Sequence, residues 1–259
     1  MIFMNRIQDA FQNKKAFIAF LTAGDPVAEK TKDYIKVMAD AGASLIEIGI
    51  PFSDPIAEGP TIQNANVRAL KNHIHTDNVF DLVTDVRKDV TIPLCFMTYL
   101  NVVFHYGYER FFQRCQEAGI DGIIIPDLPY EEAAEVKDVC TKYDVTLISM
   151  IAPTSRERVK MIAKDAEGFI YLVSSMGVTG IRSSFADNLK DIIGDIRDVT
   201  DVPVAIGFGI HEPAQARAMS AIADGVIVGS AIVNRIADLG DHADEDLKDY
   251  VTSMTKAMG

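Results

Sequence analysis

Cysteine is scarce in this 259-residue sequence, with only Cys95, Cys115 and Cys140 present. An odd, widely spaced set does not build a disulfide framework or a zinc knuckle, so buried structural thiols are expected. Basic residues are also in short supply: 25 Lys and Arg stand against 37 Asp and Glu, a formal net charge of −12. General binding to nucleic acid or to an anionic membrane relies on cationic surface and is excluded. Any anion site must therefore be local. No apolar run approaches membrane-spanning length, and the opening "MIFMNRIQDAFQNKK" has no signal-peptide apolar core, so a soluble cytoplasmic protein is expected. No Pro/Ser/Gly-rich tract or low-complexity block divides the chain, which favours one domain over 1–259.

Two further absences narrow the chemistry. His73, His75, His105, His211 and His242 form no cluster of strand-end ligands, so no metal site is expected. No lysine falls at the C-terminal end of a candidate strand, where a Schiff-base lysine would stand; Lys15 precedes the first one. General acid–base catalysis by carboxylates remains.

What is present is one repeated unit. Short apolar strand candidates at 15–21, 44–50, 91–97, 122–126, 145–151, 168–174, 202–208 and 225–229 alternate with amphipathic helical patterns such as 30–42 and 130–143. Eight βα units, after an extra N-terminal helix, predict a single (β/α)8 TIM barrel with an inserted loop after strand 2. An open doubly wound sheet would offer similar strands one at a time. The absence of G-x-G-x-x-G after the first strand, and a unit count sufficient for closure, favour the barrel.

Within "LIEIGIPFSDPIAEGP" (45–60), strand alternation puts Leu45, Glu47 and Gly49 on one face and three isoleucines on the other. The isoleucines suit packing against helices, so Glu47 points into the barrel near the catalytic end of its strand. Burial should raise its pKa, which suits a group that both gives and takes a proton. The loop that follows brings a second carboxylate, Glu58, to the same mouth. Glycine-bearing exits after the last three strands, "SSMGVTG" (174–180), "GFGI" (207–210) and "VGS" (228–230), suggest a phosphate held by backbone N–H groups. The acidic stretch 238–250 reads as a solvated helix and its approach loop.

The segment "LIEIGIPFSDPIAEGPTIQNA" closely resembles the signature of the tryptophan synthase alpha chain family. "FLTAGDP" (20–26), "IIIPDLP" (123–129), "GVTG" (177–180), "GFGI" and "VGSAIV" (228–233) match in the same order along essentially the whole chain. The resemblance implies retro-aldol cleavage of indole-3-glycerol phosphate to indole and glyceraldehyde 3-phosphate without a cofactor. It also implies a pyridoxal-phosphate beta chain as partner, two alpha and two beta chains together. Carried over residue by residue, it makes Glu47 the proton shuttle and Glu58 the acceptor of the indole N–H, with Thr179 holding Glu58 on loop closure. Phe20, Ile62, Tyr99, Tyr171 and Phe208 become pocket lining, and Gly180, Gly209, Gly229 and Ser230 the phosphate site. Asp54, Asn101 and Pro129 match positions near the partner surface. The family usually has Asp where this chain has Glu58. Two alternatives follow: a lyase that needs no partner, and a weakly catalytic module that binds and activates the beta chain.

Overall fold

Every second residue of each strand faces the barrel axis, and the apolar positions sort into two sets on that basis. A computed structural model describes residues 6–12, 14–174, 183–207 and 209–259. The strands are β1 (Ala16–Thr22), β2 (Leu45–Gly49), β3 (Leu94–Met97), β4 (Gly122–Ile124), β5 (Thr146–Leu147), β6 (Ser149–Ile151), β7 (Ile170–Val173), β8 (Val204–Gly207) and β9 (Gly225–Val228). They form one sheet in the order β5-β4-β3-β2-β1-β9-β8-β7-β6, with every pairing parallel. Only Ile148 separates its two ends along the chain, so the sheet is a nearly closed barrel.

The expected single strand 145–151 is thus in two pieces. β5 pairs with β4 and β6 with β7, and the ladder changes sides across Ile148. Ile148 keeps the wall intact: its N–H donates to the carbonyl of Ile123 at 2.9 Å, and its side chain is 3% exposed.

Ile18, Leu45, Cys95, Ile124, Ile148, Phe169, Ala205 and Ile227 fill the barrel interior. Phe17, Leu21, Ile46, Ile48, Phe96, Leu172, Ile206 and Val228 pack outward in the helix-facing core. Strands buried on both faces need apolar residues at nearly every position, which is why they read as continuous runs. All three cysteines are free and buried.

Two of the strands that start later than the sequence pattern predicts do so at a proline. β3 begins at Leu94 rather than 91, and β8 at Val204 rather than 202, each directly after a proline that has no N–H to give. In both, a carboxylate receives the first strand N–H at 2.9 Å: Asp121 takes that of Leu94, and Asp224 that of Val204. Asp121 is also gripped by Arg87, whose guanidinium reaches the carbonyls of Gly119 (2.9 Å), Val90 (3.0 Å) and Ile92 (2.6 Å).

The N-terminal helix, Arg6–Ala10, closes the end of the barrel at which the strands begin. Ile7 is fully buried, and the rings of Phe11 and Phe169 stand 5.6 Å apart. Gly122 and Gly225 make room for this plug; a β-carbon at either would come within 3.0 Å of Ile7 or 3.1 Å of Phe11. At the other terminus, Asp244–Met258 is a helix with one solvated acidic face, but Leu247, Tyr250, Val251 and Met254 bury the other face. The acidic stretch is therefore half core, a period the charge run conceals. Among the described residues, no helix is long and apolar enough to cross a membrane.

Candidate active site

Glu47 occupies the middle of β2, in register with Phe20 of β1 and Cys95 of β3. It is completely buried, and among the described residues neither carboxylate oxygen has a hydrogen-bond partner. Loss of hydration with no compensating cation pushes its pKa up to about 8. At neutral pH the group is therefore mostly a neutral acid, and it lines a cavity of about 1010 Å³ at the C-terminal ends of the strands.

Glu58 lines the same cavity from the loop after β2. The loop ends where Pro60 opens the helix Pro60–Lys71 with its φ already helical. The Nδ2 group of Asn66 donates to Glu58 Oε2 at 2.7 Å, and Gln63 donates to the Glu58 carbonyl at 2.8 Å. Partial burial raises the Glu58 pKa, and hydrogen bonds from Asn66 and Tyr99 act in the opposite direction. Two carboxylates thus face one cavity in different settings, one without polar partners and one with donors. Environments that differ in this way set two carboxyl groups apart in proton affinity.

The walls are aromatic and are admitted by glycine. A β-carbon at Gly49 would lie 2.8 Å from Phe20 Cζ, and one at Gly207 would lie 2.6 Å from the Tyr171 hydroxyl oxygen. Phe20 also joins Ile62, Ala65, Val233 and Met97 in an apolar cluster above the barrel interior. Tyr99 sits behind the loop instead of on the cavity wall. It is 2% exposed, and its hydroxyl accepts the N–H of Ala57 at 3.0 Å, one residue before Glu58.

Gly209, Gly229 and Ser230 meet at the far rim of the cavity. Gly209 has φ +76°, a left-handed conformation that glycine accepts without strain. Gly229 caps the helix Ser230–Leu239, whose first N–H groups have no partner within the helix and carry the positive end of its dipole. This arrangement can hold a phosphate. Thr179, Gly180 and Phe208 lie outside the described residues.

Asp54 and Pro129, on the loops after β2 and β4, and Asn101, in the first turn of the helix Leu100–Tyr106 that follows β3, are exposed around the same mouth. The loops are tied together: Tyr99 holds Ala57, and the N–H of Leu100 donates to Asp127 at 2.9 Å. Beside them Ile56 and Phe104 are 80% and 67% exposed.

Sequence reasoning missed Asn66, the direct support of Glu58. Its signal was a polar residue on the buried stripe Ile62, Ala65, Ala69 of its helix, where an unpaired amide is costly. It also passed over Met97 and Met150, which line the cavity between Phe20 and Tyr171.

The family model described as tryptophan synthase alpha chain matches residues 7–258. A tryptophan synthase alpha chain of Lactiplantibacillus plantarum is 51% identical over 256 residues, covering 98% of this chain and 97% of the relative. One from Caldanaerobacter subterraneus subsp. tengcongensis is 44% identical, covering 98% and 100%. Among solved structures, the tryptophan synthase alpha subunit of Legionella pneumophila superimposes with a TM-score of 0.90 at 38% identity, covering 98% of both chains. A chain of the tryptophan synthase complex of Pyrococcus furiosus gives 0.84 at 35% identity, covering 93% of this chain and 98% of that one. Sequence identity of this extent, along with the barrel and the strand carboxylate, makes the chain a member of the tryptophan synthase alpha chain family.

Proposed function

We propose that Glu47 and Glu58 are the acid–base pair with which this chain cleaves indole-3-glycerol phosphate into indole and glyceraldehyde 3-phosphate. The chain is a carbon–carbon lyase of L-tryptophan biosynthesis by family. One observation carries the assignment: Glu47 is a fully buried carboxyl with no hydrogen-bond partner among the described residues, its pKa pushed up to about 8 by burial, in the cavity that Glu58 also lines.

The protonated Glu47 gives its proton to C3 of the indole, making the ring an indolenine cation. Glu58, as carboxylate, accepts the ring N–H and stabilises that charge as it develops. The Glu47 carboxylate then takes the proton of the adjacent glycerol hydroxyl. The O–H pair becomes the new carbonyl bond, the carbon–carbon pair returns to the indole ring, and Glu47 is again protonated. No cofactor takes part; pyridoxal phosphate belongs to the beta chain.

The remaining roles are carried over from the family resemblance. Phe20, Ile62, Tyr171 and Phe208 bound the indole, Tyr99 sets the Glu58 loop, and Gly180, Gly209, Gly229 and Ser230 bind the phosphate. Thr179 is assigned, on the same resemblance, as the residue that holds Glu58. The chain from 1 to 259 acts as one barrel unit in the cytoplasm. Asp54, Asn101 and Pro129 face a beta chain in an assembly of two alpha and two beta chains. The exposed Ile56, on the loop after β2, and Phe104, on the helix Leu100–Tyr106, support that surface, since solvent-facing apolar side chains on neighbouring segments suit an interface.

The test is release of indole and glyceraldehyde 3-phosphate by the purified chain, with and without a cognate beta chain. Slow release that rises sharply with the partner is the expected result. Equal, rapid release in both conditions would point to a partner-independent lyase, and none in either to a binding module.

A further inference from the structure

Asp25, on the loop after β1, is 1% exposed, and one side chain takes both of its carboxylate oxygens. Arg68, on the helix Pro60–Lys71, donates from Nε to Oδ1 at 2.7 Å and from a terminal nitrogen to Oδ2 at 2.8 Å. Neither residue is among those that line the cavity. Two positions before Arg68 on the same helix stands Asn66, 4% exposed, whose amide holds Glu58.

The apolar face of this helix does little to fix its rotation. Ile62, Ala65 and Ala69 pack on β1 and on the helix Ser230–Leu239, but apolar burial has no direction, and two of the three side chains are single methyl groups. Its N-cap, Gly59, offers no side-chain hydrogen bond. The directional bonds fall in two groups. Near the start of the helix, Gln63 and Asn66 reach Glu58. Toward its end, Arg68 reaches Asp25, and the Asn72 side chain donates to the carbonyl of Pro26. The loop at that end is itself held in place. The N–H of Gly24 donates to Thr31 Oγ1 at 2.9 Å, and a β-carbon at Gly24 would collide with Ile74, just beyond the helix.

We propose that Asp25 and Arg68 are positioning residues for Glu58: their forked pair fixes the helix Pro60–Lys71 against the loop after β1, and the helix in turn aims the Asn66 amide at the Glu58 carboxyl. The proposal rests on the reading of Glu58 as the acceptor of the indole N–H. A guanidinium fork on a carboxylate constrains direction as well as distance, which a single-point contact does not. Desolvation of a buried carboxylate offsets much of the attraction it gains, so direction is what the pair adds beyond stability. The bond it protects has little slack: from 2.7 Å, a displacement of about 1 Å takes Asn66 out of hydrogen-bond range of Glu58.

Arg68→Lys keeps the charge and loses the fork. Asp25→Asn combined with Arg68→Met leaves no unpaired charge and is the second variant, should the first fold poorly. In heteronuclear NMR spectra of the full chain, the side-chain amide signal of Asn66, identified by its loss in Asn66→Ala, is expected to move toward that of a solvated asparagine in either variant. For indole-3-glycerol phosphate, kcat should fall about tenfold while KM changes by less than about twofold. Arg68→Lys should add nothing to the loss in Asn66→Ala, because it acts through that residue. An Asn66 signal that stays in place, or losses that multiply in the double variant, would overturn the proposal and leave the pair a structural tie. The two readings fail separately. If the signal moves but the wild type releases no indole, the functional reading alone is overturned; an active lyase whose Asn66 signal ignores Arg68 overturns this one alone.

Discussion

Tyr171 lies so close over Gly207 that a β-carbon there would stand 2.6 Å from its hydroxyl oxygen and from Cε1. Glycine at the end of β8 thus serves the aromatic wall next to Glu47 as well as the loop that follows. Gly207→Ala should displace the Tyr171 ring, and a shift of about 1 Å at the site can lower turnover on the order of 10²-fold. Steady-state kinetics would show the loss, and Tyr171→Phe in the same background, which removes the crowded hydroxyl, should recover part of it.

Glu47 should make the protein less stable as pH rises. Its folded pKa of about 8 exceeds the unfolded value of 4.5, so the native state binds the extra proton between those limits. Stability from this group is full below about pH 4.5 and declines until about pH 8. Glu47→Gln removes the dependence, and at pH 7 it should be more stable than the wild type by up to about 3 kcal/mol. Denaturant titrations at several pH values check this; a difference between variant and wild type that stays constant from about pH 5 to about pH 8 would contradict it.

Asn66→Ala removes the 2.7 Å hydrogen bond that holds Glu58 and counters the rise of its pKa. The acid limb of the kcat/KM profile should move to higher pH, and activity at neutral pH should fall about tenfold. An unmoved limb would mean that the limb belongs to another group.

Arg87→Met tests the scaffold apart from the site. It strips three carbonyls and Asp121 of their shared donor at the closed end of the barrel, and should destabilise the protein by about 3–5 kcal/mol. Thermal unfolding would register the loss, while the pH profile of the folded fraction should match that of the wild type.

The barrel was legible because eight short apolar runs alternate with amphipathic helical patterns, and because Glu47 puts a single charge into one of those runs. The break at Ile148 was not, since a ladder that changes sides leaves no mark on an apolar run. Pro93 and Pro203 did mark the late strand starts, but the carboxylates of Asp121 and Asp224 that complete them come from distant positions. Glu58 was visible as a charge in a loop, whereas its holder Asn66 became meaningful only once the helix turned that residue inward.

The most direct test of the proton-shuttle account is indole release by wild type and Glu47→Gln side by side, together with the affinity of each for a glycerol phosphate analogue. The account expects turnover to vanish in Glu47→Gln while the analogue binds nearly as before. Substantial residual turnover in a correctly folded variant would contradict it.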